Sequence, residues 1–225
     1  MSRFWPQWGA LTILLPLVCG FSILAAPQLL AFPHKAQIGS VTVYAEEPID
    51  QPRMAEIVGR SESLLRKSGF LDRSMETRLF LTNGGLRWKC LALRSHGAFA
   101  LTRPVSDFVS GALIVNKSDM AGNRVSNGAR IGGVRSLSGT ITHEQVHRLV
   151  RRRFGLIRSF MIPTWKSEGF ADYVANESSL TTKDVRLLKS AGIAHPALVY
   201  FEGRQKVAAT LARNGHSVER LMLTE

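Results

Sequence analysis

Thr140-Ile-Thr-His-Glu-Gln-Val-His-Arg-Leu-Val-Arg-Arg-Arg-Phe154, followed by Gly155, reads as one helix with a glycine stop. Working outward from it divides the chain in two. Toward the C-terminus the pattern stays helical: a second helix is predicted from Pro163 to Asn176, a third over Thr181 to Lys189, and one or two more from Tyr200 to the end. Toward the N-terminus strands dominate. Val41-Thr-Val-Tyr44 alternates β-branched and aromatic residues, and Arg78 to Thr82, Leu86 to Leu93, Gly97 to Thr102 and Ala112 to Asn116 also read as strands around turn residues such as Asn83-Gly-Gly85. An amphipathic helix over Met54 to Lys67, closed by Gly69, interrupts them, and the Gly-, Ser- and Asn-containing run from Asp119 to Gly139 reads as loop. A small N-terminal sheet followed by a helical half, with the boundary just before residue 140, is an α+β layout.

The first of these helices carries chemistry. His143-Glu144-Gln145-Val146-His147 fits H-E-x-x-H, and residues four apart share a helix face, so both imidazoles can reach one ion. Zinc takes neutral imidazole nitrogens at about 2.0–2.1 Å, and two histidines one turn apart supply half of a tetrahedral site. The candidate third ligand is Glu168, within Pro163-Thr-Trp-Lys-Ser-Glu-Gly-Phe-Ala-Asp-Tyr173, because a turn at Gly155 and a connecting loop let the second helix lie against the first. Asp172 is four residues further and shares that face, where its carboxylate can accept the other ring N–H of a ligand histidine and fix its tautomer. Three protein ligands leave one zinc position open for water, and Glu144, beside the first histidine, is placed to take that water's proton.

His143-Glu144-x-x-His147 followed by Trp165-x-x-Glu168-Gly169-x-Ala171-x-Tyr173 resembles the gluzincin group of zinc metallopeptidases, especially the compact bacterial peptidase domains of the MA-like type. The resemblance covers Gly139 to Asn176 and extends more faintly over Tyr200 to Arg204 and Leu211 to Leu221. It implies a zincin-like fold whose helical half carries the active-site helix, with Zn2+ on His143, His147 and Glu168 and a peptide or protein as substrate. It further implies Glu144 as the base, Asp172 as the carboxylate behind a histidine, and Tyr200 as a stabiliser of the oxyanion. Residues Met1 to Arg135 match no motif. The metzincin pattern is excluded, since it needs a glycine and a histidine where Val150 and Arg153 stand.

Hydrophobic residues make up 45% and charged residues 20%, which is the composition of a globular chain and excludes a disordered one. From Phe4 to Pro33 no residue is charged, and Gly9 to Ala26 is nearly all apolar. A bilayer span needs about 20 such residues, a cleaved signal has a core of about 7–15, and an A-x-A-like cleavage site is missing. Residues 1–36 are therefore expected to form a membrane anchor or signal segment, and 37–225 one domain on the extracytoplasmic side, with Arg3 and the free amine marking the cytoplasmic end. Cys19 falls inside the apolar run, so Cys90 is the one thiol of the folded part and no internal disulfide is expected. The formal net charge of +12 is compatible with nucleic acid, an anionic membrane or an acidic substrate; no nucleic-acid motif accompanies it, so nucleic acid is not an expected partner.

Two rival readings stand beside the peptidase. One is a zinc-binding scaffold without turnover, against which the intact Glu144 argues; the other is a basic membrane-surface interaction protein in which the motif is coincidental. Arg148, Arg151, Arg152 and Arg153 read as a solvated helix end favoured by the helix dipole, and Cys90 as a small buried hydrophobe in a strand. His34, His96, His195 and His216 read as ordinary surface or core groups, with His195 the foremost of them for a role in the site. Ala112 to Asn116 is the first candidate for an exposed sheet edge on which an extended peptide could pair.

Overall fold

The computed structural model describes residues 20–69, 75–104, 107 and 111–223; the apolar run up to residue 19 lies outside them. Among the described residues no helix is long and apolar enough to cross a membrane. β1 (His34–Ile38) and β2 (Val41–Ala45) pair antiparallel with Ile38 opposite Val41, so Gly39 and Ser40 alone make the turn. Gly39 takes the positive φ of 56° that a two-residue hairpin turn demands. α1 (Gln51–Leu65) is capped by Asp50, whose side chain accepts the Arg53 N–H, and carries the chain across so that β3 (Thr77–Thr82) runs parallel to β2. After α2 (Leu86–Ala92) comes the short β4 (Ala100–Thr102), antiparallel to β5 (Ala112–Asp119), which is itself parallel to β3. β6 (Arg124–Ser126) and β7 (Val134–Ser136) add antiparallel pairs beyond the far end of β5. The order in space is β1-β2-β3-β5-β6-β7, with β4 beside the first half of β5.

Period-two alternation lets each central strand feed two cores. Val43, Leu79, Leu81, Leu113 and Val115 bury against Met54 and Ile57 of α1 and against Leu137 and Ile141 of α3 (Leu137–Phe154). On the opposite face Phe80, Ala112 and Ile114 bury against Trp88 and Leu91 of α2, with Ile23, Leu30 and Phe32 packed alongside. The expected strand over Leu86 to Leu93 is therefore a helix: Trp88, Leu91 and Ala92 are buried at i, i+3, i+4, a spacing that only a helix puts on one face. Cys90 lies on the other side of that helix and is exposed, not buried in a strand. The expected loop from Asp119 to Gly139 likewise holds β6, β7 and the first turn of α3.

α3 opens at Ser136, whose hydroxyl accepts the Gly139 N–H, and stops at Gly155, where φ is 81°. α4 (Leu156–Met161) leads into α5 (Thr164–Ala175), followed by α6 (Thr182–Ser190), α7 (Ala197–Arg213) and α8 (Val218–Leu223). Phe170 and Val174 of α5 and Val207 and Leu211 of α7 bury with Val146, Leu149 and Val150 of α3, so α3 lies between the sheet and the helical layer. α5 and α7 meet backbone to backbone: a Cβ on Gly169 would stand 2.4 Å from the Gly203 carbonyl carbon. A mixed sheet covered by helices is the α+β class that the sequence led one to expect.

Candidate metal centre

Ile141 and Leu137 turn one face of α3 toward the sheet, and His143 and His147, one turn apart, face α5. Their Nε2 atoms are 3.1 Å apart. α5 brings Glu168 up to both, with Oε2 at 3.1 Å from His143 Nε2 and 3.4 Å from His147 Nε2. A tetrahedral zinc site with bonds of about 2.0–2.1 Å has edges of about 3.3–3.4 Å, since the edge is about 1.63 times the bond. The three atoms thus stand close to the spacing of three corners of such a tetrahedron, and two imidazoles with one carboxylate are a donor set that zinc accepts.

Behind the ligand atoms the other ring nitrogens are occupied. His143 Nδ1 donates to Asp172 Oδ1 at 2.8 Å, so the nitrogen that would give up its proton to a metal is Nε2, which faces Glu168. The same Oδ1 accepts from Arg135 Nη2 at 2.7 Å, and Arg135 Nε donates to Glu177 Oε1 at 3.3 Å. His147 turns its Nε2 to the site and its Nδ1 away from it, 3.4 Å from Ser167 Oγ. Burial works against a charge on His143, but hydrogen bonds to Asp172 and Glu168 outweigh it and lift its pKa to about 9. Burial also works against charge on the two carboxylates. The nearby His147 charge and both histidine hydrogen bonds nevertheless drive Glu168 well below the usual carboxylate range, and the Arg135 charge with the His143 hydrogen bond lowers Asp172. The cluster holds its carboxylates ionised.

Glu144 opens onto the same cavity, of about 620 Å³, and its Oε2 accepts the Thr102 hydroxyl at 3.1 Å. Tyr200, on α7, lays its ring 6.2 Å from that of His143 at 21°. Burial first, then the charges of Glu168, Asp172 and Glu144, raise the Tyr200 pKa, so its O–H stays a donor. His195 also lines the cavity; its Nδ1 accepts the Ala197 N–H at 3.2 Å, which puts its own proton on Nε2. All six residues singled out in the sequence therefore stand together.

Two expectations need correction. Ala112 to Asn116 is not an edge, because β5 pairs with β3 on one side and with β4 and β6 on the other. The edge that borders the cavity is β4, which among the described residues pairs with β5 alone. Arg148 and Arg151 are not part of a solvated helix end either: Arg148 is 4% exposed, and both guanidiniums donate to Asp107, at 2.9 Å and 2.5 Å. Arg152 and Arg153 are exposed as expected, Arg153 pairing with Glu219.

Arg135, Ser167, Thr102 and Asp107 were not anticipated. Only the spacing of Glu144, Arg148 and Arg151, at i, i+4 and i+7 on one helix face, hinted that the two arginines belong with the site. No family model matches the chain, and neither does any curated protein or solved structure.

Proposed function

We propose that this protein is a zinc-dependent peptidase of gluzincin type with a zincin-like fold. The observation that carries the reading is the triangle of His143 Nε2, His147 Nε2 and Glu168 Oε2, with sides of 3.1, 3.1 and 3.4 Å. These three residues would hold Zn2+, which when bound supplies a Lewis acid and a water of pKa near 7. Glu144 takes a proton from water and returns it to the departing amine. Tyr200, kept protonated, donates to the oxygen on which negative charge develops. Asp172 keeps His143 in the tautomer that binds through Nε2. The β4 edge offers main-chain N–H and C=O groups to an extended peptide, taking over the part first given to Ala112 to Asn116. In this reading the uncharged residues from Phe4 up to Ile23, where packing against the domain begins, tether it to a membrane on its extracytoplasmic side.

The test is metal analysis of the purified full-length chain beside its action on a mixed peptide library, for the natural sequence and for Glu144→Gln. One zinc per chain in both, with cleavage in the natural sequence only, is the expected result. Zinc without cleavage in either replaces the enzyme by a scaffold, and absence of zinc replaces both by a membrane-surface interaction protein.

A further inference from the structure

A second chain of hydrogen bonds, separate from the one behind His143, ends on Glu144. It starts at Arg148, whose Nη1 donates to Thr77 Oγ1 at 3.0 Å and whose Nη2 donates to the Glu76 carbonyl at 3.1 Å, fixing that guanidinium to the beginning of β3. Arg148 Nε then donates to Asp107 Oδ1 at 2.9 Å, and Arg151 Nε donates to Asp107 Oδ2 at 2.5 Å. Arg151 Nη2 donates to Thr102 Oγ1 at 3.0 Å, and Thr102 Oγ1 stands 3.1 Å from Glu144 Oε2. The side chains of Arg148, Asp107 and Arg151 are 3%, 16% and 15% exposed, so water competes little for these bonds.

The polarity of the chain is forced. A guanidinium has no acceptor, so at the Arg151 contact the Thr102 oxygen must accept, and its single hydrogen is left for Glu144. Both oxygens of Asp107 are engaged by guanidiniums, which holds Arg151 in place. A glutamate carboxylate otherwise turns freely, because its last torsion is broad and two-fold. Tying Oε2 down stops that rotation and leaves Oε1 as the oxygen free to take a proton.

Resting on the peptidase reading, we infer that Thr102 is a positioning residue, which Arg151 and Asp107 orient so that it holds the Glu144 carboxylate in the attitude needed for proton transfer. Thr102 closes β4, so the strand that receives the peptide also sets the base. Substrate alignment and base alignment share one element.

The experiment compares the zinc-loaded full-length chain with Glu144→Gln, Thr102→Val, Thr102→Ser and Arg151→Gln on one peptide that the natural sequence cleaves. Thr102→Val keeps the β-branched shape and removes the hydroxyl. Its kcat should fall about 10- to 100-fold, the loss associated with one hydrogen bond to a charged group, with KM and zinc content unchanged. Thr102→Ser should restore most of that kcat, which a purely structural role for the methyl group would not allow. Arg151→Gln, in which the hydroxyl is free to turn, should fall between the two. Thr102→Val at full kcat, or Thr102→Ser as slow as Thr102→Val, overturns the inference while Glu144-dependent cleavage stands. If Thr102→Val fails to fold, Arg151→Gln decides, and full kcat there overturns it. Absence of Glu144-dependent cleavage in the natural sequence removes the peptidase reading, and this role with it.

Discussion

Asp172 bears two loads on one oxygen, and substitution can separate them. The residue is wholly buried, and its Oδ1 accepts from His143 Nδ1 at 2.8 Å and from Arg135 Nη2 at 2.7 Å. Asp172→Ala removes both. The first loss unlocks the His143 imidazole and should weaken zinc binding about 10- to 100-fold, or about 1.4–2.7 kcal/mol. The second leaves Arg135, with a side chain 5% exposed, short of an anion; breaking a buried pair this way costs about 3–5 kcal/mol of stability. Glu177 still accepts from Arg135 Nε at 3.3 Å, so the lower figure, about 3 kcal/mol, is expected. Asp172→Asn keeps an acceptor at Oδ1 and puts its amide nitrogen where Oδ2, buried without a partner among the described residues, now lies. It should lose about tenfold in zinc affinity and about 1–2 kcal/mol of stability. Competition for zinc against a coloured chelator reads the first quantity, and thermal unfolding in EDTA reads the second. If Asp172→Ala held zinc like the natural sequence, or unfolded at the same temperature in EDTA, the double role would be refuted.

Three further outcomes are expected. Glu168→Ala leaves two histidines and should lose most of its bound zinc on dialysis, whereas retention of one zinc per chain would exclude Glu168 as a ligand. In the metal-free protein the His143 pKa is raised from 6.5 to about 9, so the stability gained from its charged form is complete below pH 6.5 and disappears as pH climbs through about 9. Zinc must displace that proton, so affinity measured between pH 7 and 8 should rise about tenfold per pH unit; a flat response would show that His143 is already neutral there. Gly203→Ala places a Cβ 2.6 Å from the Trp165 carbonyl oxygen, which must push α7 off α5 and lower stability by about 1–3 kcal/mol; an unchanged unfolding temperature would refute the close crossing.

What could be read from the sequence was what a single helix decides by itself. His143 and His147 are one turn apart on α3, and Glu168 and Asp172 one turn apart on α5, so local geometry put each pair on one face before any tertiary contact was known. Where seven or eight residues satisfy two periods at once, tertiary packing chose. Leu86, Trp88 and Ala92 suit alternation, while Trp88, Leu91 and Ala92 suit a helix, and burial against Phe80 and Ile114 selected the helix. The edge strand was misplaced for a reason visible in hindsight: Ala112-Leu-Ile-Val115 is apolar at every position, the mark of a strand buried on both faces and therefore central.

The long-range charges had no local signature, and they show how the basic composition is used. Arg135, on β7 just before α3, and Arg148, within α3, are each buried and each matched by acids from outside that helix: Asp172 and Glu177 for the first, Asp107 for the second. Some of the arginines are thus interior and paired with acids; they cancel and leave the net charge of +12 to the rest of the chain. One pair bears on a candidate ligand through Asp172, the other on the candidate base through Arg151 and Thr102. Because a buried guanidinium stripped of its anion destabilises the whole fold, substitutions at Asp107 or Arg148 would confuse unfolding with lost turnover. The site is better probed at the uncharged or exchangeable ends of these chains, Thr102 on one side and Asp172→Asn on the other, where the hydrogen bond changes and the guanidinium stays neutralised or nearly so.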